Sequence, residues 1–242
     1  MSIAAVAMVL NEADIIETSI RHLFAEGIDE MYLAVGECDD NSWNIIESLD
    51  LPIHMYHDTD EVWHQAAWTN ELIARAGTDG HEWIVPFDAD EFVYATNSDS
   101  IADTLADCPH DNLLLHQWGH HSWSAREVTP RTQPKVAFRY SFGVTVSMGA
   151  HACSLPGGQW DVLDIREWQF LSFDHFCKKV RTRIATLDPV ERARGNGWHM
   201  TRFDGKSDEE MRTEWEAIQA IPTIADPIPS RLPPGLGLVG RA

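Results

Sequence analysis

Cysteine is scarce in this chain, and the few residues present lie far apart. Cys38, Cys108, Cys153 and Cys177 form no Cys-x-x-Cys pair, which argues against a zinc knuckle and gives no disulfide framework; reduced thiols in a cytoplasmic protein are the expectation. Basic residues are also few. Only 18 Lys and Arg stand against 38 Asp and Glu, a formal net charge of -20, so neither nucleic acid nor an anionic membrane is an expected partner. An anionic substrate would need a local cation, either a metal ion or clustered Arg and Lys. Long apolar runs are missing as well, and nothing reaches the ~20 residues that a bilayer-spanning helix requires. The apolar start, Ile3 to Leu10, lacks a basic leader and a cleavage signal and reads as a strand. No internal repeat is present.

What is present suffices for a globular core. With 44% hydrophobic residues and ten Trp in 242 residues, one domain can bury enough apolar surface to fold. After the strand at Ile3 to Leu10, Asn11 and Asp14 suggest a helix N-cap with an acidic first turn. Ile15, Ile16, Ile20, Leu23 and Phe24 follow at helical spacing, and Gly27 is a natural stop. Strands are predicted at Met31 to Val35, Ile53 to Tyr56 and Glu82 to Phe87, with helices around Ile45, Ile46 and Leu49 and over Gln65 to Ala76. This alternation is that of a parallel sheet covered by helices, a Rossmann-like layer. Further strands are expected at Asn112 to Trp118 and Lys135 to Tyr140, with Val144 to Met148 and Trp160 to Ile165 as candidates. Ser172 to Leu187 reads as a helix with a basic face of Lys178, Lys179, Arg181 and Arg183. Ser207 and Glu210 make a capping box ahead of Met211 to Ile221. From Pro222 onward, Pro and Gly dominate.

The sharpest feature is Trp83-Ile84-Val85-Pro86-Phe87-Asp88-Ala89-Asp90-Glu91-Phe92. An apolar strand ends in carboxylates, at the place where open α/β sheets bind ligands. If the segment stays extended, Asp88 and Asp90 point the same way and Glu91 faces away. Two hard oxygen donors on one side suit Mg²⁺ or Mn²⁺. Wedged between apolar runs, such like charges need a counter-ion to stay ionised.

Taken with the loop Asp39-Asp40-Asn41-Ser42, the segment Asp88-Ala89-Asp90-Glu91-Phe92 resembles that of glycosyltransferases of the GT-A fold, close to family-2-like bacterial enzymes. Leu10-Asn11-Glu12-Ala13-Asp14-Ile15 after the first strand, Gly27-Ile28-Asp29, and Gln65-Ala66 with Asn70 extend the resemblance. Trp168 to Lys179 is similar to the family's closing His-Tyr-x-x-Arg-Ser-x-x-x-Phe-x-x-Lys pattern. The resemblance implies an α/β GT-A fold, a mixed, mainly parallel sheet flanked by helices. It divides residues 1–221 into a nucleotide-binding half (1–94) and an acceptor half (95–221), with 222–242 as a tail. It implies a nucleoside-diphosphate-sugar donor, a glycan, lipid or protein acceptor, and a Mn²⁺ or Mg²⁺ ion held by Asp88 and Asp90. Asn11, Glu12 and Asp40 would line the nucleoside pocket, Asp88 would also meet the donor, and Lys179 would meet its phosphates. Asp39 and Asp40 equally suit a helix N-cap. At two positions the chain departs from the pattern. Glu167 stands where relatives carry a metal-completing His, and carboxylate oxygen serves these metals at least as well. Leu171 stands at the Arg position, a lost charge that Lys178, Lys179 or Arg181 would have to replace.

An inverting transferase also needs a general base. Asp161 and His121 are the expected candidates, with Asp164 and Glu127 beside them. His116, His120 and His121 invite a zinc reading, but the Leu113-Leu114-Leu115 run makes this a strand end and no Glu lies between the histidines. Trp118 and Trp123 are candidates to hold a sugar acceptor, or to pack as core. His151 is either a diphosphate contact or a hydrogen-bonded structural His. Two other functions remain open: a catalytically inactive nucleotide-sugar-binding module, and a metal-dependent hydrolase or phosphotransferase using the same carboxylates.

Overall fold

A computed structural model describes residues 1–96, 100–122 and 124–226. The expected alternation is there: β1 (Ile3–Val9), α1 (Ile16–Ala25), β2 (Glu30–Val35), α2 (Ser42–Ser48), β3 (Ile53–His57), α3 (Gln65–Thr78) and β4 (Trp83–Pro86). After β5 (Glu91–Ala95) come α4 (Ile101–Ala106), β6 (Asn112–Gly119), β7 (Ala125–Glu127), β8 (Lys135–Arg139) and β9 (Leu163–Glu167). Helices α5 (Phe173–Thr186), α6 (Pro189–Ala193), α7 (Trp198–Thr201) and α8 (Asp208–Gln219) precede β10 (Thr223–Ala225).

One eight-stranded sheet runs in the order β3-β2-β1-β4-β8-β6-β9-β5. Strands β1 to β4 pair parallel, β8 is antiparallel to β4 and β6, and β5 is antiparallel to β9. β1 sits inside the parallel group, so every residue of it is buried and the run is continuously apolar. Its alternate residues feed two cores. Ile3, Ala5, Ala7 and Val9 meet Ile16, Ile20 and Leu23 of α1 with Ile101 and Leu105 of α4. Ala4, Val6 and Met8 meet Leu72, Ile73 and Ala76 of α3 on the opposite face. A separate cluster, Phe176, Val180, Met200, Phe203 and Met211, joins α5, α7 and α8. No helix among the described residues is long and apolar enough to cross a membrane.

Gly27 ends α1 as expected, at φ 96°, and a Cβ on it would lie 2.4 Å from the Cβ of Ala102 at the start of α4. Its bare backbone lets α4 close over the end of α1. The capping box of Ser207 and Glu210 is also formed.

Several local expectations are corrected. Asn11 and Asp14 do not cap α1: the N-cap is Ile15, with no side-chain bond, while Asn11 adopts φ 58° and turns the chain out of β1. Val144 to Met148 makes no strand beyond the single bridge Val146–Cys153, followed by a 3₁₀ turn at Met148–Ala150. Residues 223–226 of the expected tail are described. β10 pairs antiparallel with β7, and Asp226 is buried; the rest of that segment, 227–242, lies outside the described residues.

Candidate functional site

Phe87 N–H donates the last ladder bond from β4, to Val6 O at 3.0 Å, and the chain then turns sharply, Glu91 N–H reaching Asp88 O at 2.9 Å. The turn overrides the alternation expected for an extended segment, and it sends the carboxylates to different cations. Asp88 Oδ2 accepts from Lys135 Nζ at 2.6 Å and its Oδ1 from Gln65 Nε2 at 2.9 Å. Asp90 Oδ2 accepts instead from Lys179 Nζ at 2.7 Å. Glu91 does not face away. Its Oε2 accepts from Asp88 N–H at 2.9 Å and its Oε1 from Gln117 Nε2 at 2.6 Å, while Lys135 Nζ lies 3.1 Å from Oε1.

The other wall comes from the ends of β1 and β2. Glu12 Oε1 lies 2.8 Å from Lys179 Nζ, so one ammonium bridges Glu12 and Asp90. Glu12 N–H donates to Ser42 Oγ, whose hydroxyl donates to Asp40 Oδ1 at 2.5 Å. Asp40 Oδ2 accepts from Ala13 N–H and from Lys178 Nζ, and Asn11 Oδ1 accepts from Asp39 N–H at 2.8 Å. Asn11 and Asp40 thus fasten two loops together. Asn11, Glu12, His175, Lys178, Lys179 and Arg183 line a narrow cleft under α5.

Glu167 lies opposite Glu91 in the β5–β9 ladder, and its Oε2 is 3.2 Å from both Nε and Nη2 of Arg131. Arg131 also meets Glu127, whose carboxylate accepts from His121 Nε2 at 3.0 Å. His121 and Glu127 are therefore joined to Glu167 through one guanidinium. Asp161 is not brought there. It lies beyond the Ala95–Leu163 end of the same ladder, roughly 20 Å from Glu167 at strand rise, with an exposed side chain 3.6 Å from His116. Asp164 points to the outer face, where Trp118 Nε1 and Arg166 Nη1 donate to it.

Other expectations are sorted by the same geometry. The Trp118 ring carries the Arg126 guanidinium 3.7 Å from its centroid, so that face is already covered; Trp123 lies outside the described residues. His151 is hydrogen-bonded through Nδ1 to Pro134 O. Arg181 is exposed and paired with Asp208, so it is no replacement for the charge missing at Leu171.

Burial pushes Glu12 up to about 7 against the pull of Lys179, and one of its oxygens, Oε2, is buried without a partner. Glu91 is driven well above the ordinary carboxylate range by burial, opposed by Lys135 and reinforced by the carboxylates around it. Glu167 is raised by burial against Arg131. Asp88 is the reverse case, where Lys135 outweighs burial and holds the carboxyl low. Burial also acts on Asp40, but the hydrogen bonds from Ser42, Ala13 and Lys178 outweigh it and hold it low.

Among the described residues no three imidazole, thiolate or carboxylate side chains converge as ligands. The expected ligands Asp88, Asp90 and Glu167 are each paired with a different cationic side chain, which a metal would have to displace. Lys135, 2% exposed, and Arg131 were not foreseen as site residues. The signal for Lys135 was a lysine heading the apolar run Val136-Ala137-Phe138; nothing local marks Arg131.

No protein-family model and no curated protein matches the sequence. Solved structures do. Staphylococcus aureus TarS 1-349 in complex with UDP-GlcNAc superposes with a TM-score of 0.50 at 14% identity, over 92% of this chain and 82% of that one. The chain has the GT-A fold. The UDP complex of TarS 1-349 gives 0.49 at 13% identity, over 89% and 78%. Glucosyl-3-phosphoglycerate synthase from Mycobacterium tuberculosis, with Mn²⁺, UDP and phosphoglyceric acid, gives 0.33 at 14% identity, over 50% and 44%. In this GT-A sheet the cleft under α5 lies at the carboxyl end of β1, with Asp88 and Asp90 at the carboxyl end of β4.

Proposed function

We propose that this chain is a glycosyltransferase that moves a sugar from a nucleoside-diphosphate sugar to an acceptor hydroxyl. The observation that carries the reading is the lysine-bridged carboxylate set at the end of β4, Glu12 and Asp90 on Lys179 beside Asp88 on Lys135. Such a set, placed at the carboxyl ends of parallel strands, is where an α/β sheet holds a ligand. In transfer the bond from the anomeric carbon to the diphosphate oxygen breaks, its electron pair stays on that oxygen, and the acceptor oxygen bonds to the carbon. The acceptor proton passes to a base. His121, backed by Glu127, is the base we propose, since Asp161 lies at the far end of β9. Asn11, Glu12 and Asp40 are proposed to hold the nucleoside and Lys179 to face the phosphates. The metal-dependent form of the reading would place Mn²⁺ or Mg²⁺ on Asp88, Asp90 and Glu167, and their pairing with Lys135, Lys179 and Arg131 counts against it.

The test is a thermal-shift panel of UDP-, GDP-, dTDP- and CDP-sugars with and without Mn²⁺. A ligand at about 100 times its Kd adds roughly 2.7 kcal/mol, which moves Tm by about 5–10 °C at this chain length. A uridine donor is expected to lead. If no donor shifts Tm under either condition, the reading fails. The second reading, an inactive nucleotide-sugar-binding module, is favoured by the commitment of Asp88 and Asp90 to lysines; it requires a shift without release of nucleoside diphosphate in the presence of any acceptor extract.

A further inference from the structure

Arg183 lines the cleft with Glu12 and Lys179, yet its pairing is unlike that of the other cations there. Lys135, Lys179 and Arg131 each have carboxylates in ion-pair contact. Among the described residues Arg183 has none. Its guanidinium instead rests over the Trp63 ring, 4.2 Å from the centroid, a cation–π contact that occupies a ring face and supplies no anion. Burial pulls its pKa down, and only the fields of Asp88, Glu12 and Asp90 oppose this. A partly buried guanidinium without a paired anion is costly, the more notable in a chain with twice as many acids as bases.

Resting on the transferase reading, we propose that Arg183 receives the diphosphate of the donor together with Lys179, and that this pair supplies the positive charge in place of a divalent cation. The two residues are four positions apart on α5, so their side chains rise from one face about 5–6 Å apart, a spacing suited to adjacent phosphoryl groups. The planar fork of Arg binds phosphate oxygens in pairs, and Lys adds a point charge. As the leaving diphosphate takes up the electron pair of the broken bond, both cations gain attraction without transferring a proton. The alternative ligands for a metal, Asp88, Asp90 and Glu167, already have cationic partners.

The experiment is calorimetric titration of UDP and of uridine into the wild type, Arg183→Gln and Arg183→Lys, each in EDTA and in Mn²⁺. Wild type is expected to bind UDP in EDTA. Arg183→Gln should weaken UDP about ten- to hundredfold, leave uridine binding unchanged and not lower the melting temperature. Arg183→Lys, which keeps charge but loses the fork, should recover part of the loss, and it carries the comparison if the Gln variant does not fold. The proposal is overturned if Arg183→Gln binds UDP like wild type, if it loses uridine equally, or if EDTA abolishes wild-type UDP binding. A wild type that binds neither compound in either buffer overturns this proposal for a uridine donor, and sinks the transferase reading itself only if the GDP-, dTDP- and CDP-sugars of the thermal-shift panel also leave Tm unmoved.

Discussion

Lys179 Nζ lies 2.7 Å from Asp90 Oδ2, although 89 positions separate the two residues in sequence. The same ammonium holds Glu12 at 2.8 Å. All three groups are largely buried, so this contact fastens α5 across the end of the sheet and closes one side of the cleft.

Removing the ammonium should therefore be costly. Lys179→Met leaves Asp90 and Glu12 without their cation, a loss of about 3–5 kcal/mol, seen by calorimetry as a fall in Tm of roughly 10 °C. The double variant with Asp90→Asn should recover part of it. A single variant melting with wild type would show that the bridge does not hold α5.

Asp90→Asn alone removes a charge from the centre of the site. Turnover of whichever donor the thermal-shift panel identifies should drop about 100-fold or more. Full activity in this variant would remove Asp90 from the reaction.

Acid should weaken the fold through two histidines. Burial pushes His120 and His175 down to about 4 from an ordinary 6.5, so both are neutral in the folded chain at pH 7. The unfolded chain takes up those protons first. Their contribution is complete above pH 6.5 and is lost as pH falls from 6.5 toward 4, at about 1.4 kcal/mol per pH unit each. Glu12, raised from 4.5 to about 7, acts with the opposite sign in an overlapping window, so the readout is a difference. The stability gap between wild type and His120→Gln, from urea unfolding, should shrink as pH drops from 7 to 4, by on the order of 3 kcal/mol. A gap constant with pH would mean that His120 does not titrate on unfolding.

Asp226 anchors the last described strand. Its Oδ2 lies 2.5 Å from Arg166 Nε and 3.3 Å from His120 Nε2, and Arg166 is 4% exposed. Asp226→Ala leaves that guanidinium only the longer 3.4 Å contact to Asp164 and should cost about 3 kcal/mol, the low end for a broken buried pair, whereas Asp226→Asn, which keeps an acceptor, should cost less. Equal Tm values for the two variants would show that charge pairing is not the cause.

Gly27→Ala combines two penalties. Its positive φ disfavours a side chain by about 1–2 kcal/mol, and contact with Ala102 adds about 1–3 kcal/mol of overpacking. Ala102→Gly in the same chain should relieve the second and leave the first. If the double variant is no more stable than the single one, the clash is not what limits the site.

Much of the fold was legible because each element is marked by its own neighbours. The unbroken apolar run of β1, the helical spacing of Ile16, Ile20 and Leu23, and the Ser207–Glu210 box all act within a few residues. Val144 to Met148 misled because Val146 does make strand-like bonds, but to a side chain: Asn70 Oδ1 accepts its N–H at 2.7 Å and Asn70 Nδ2 donates to its carbonyl at 3.1 Å. β7 was missed because it is three residues long and finds its partner, β10, almost a hundred positions away.

Local sequence was enough to determine that carboxylates would stand where the apolar strand β4 ends, since burial of one segment and solvation of the next follow from side-chain type alone. Which cation meets which carboxylate was decided only in three dimensions. Asp88 finds Lys135 across 47 positions and Asp90 finds Lys179 across 89, because a single turn between them points the two side chains apart. Charge pairing depends on separations of a few ångströms through space, and spacing along the chain carries no record of them.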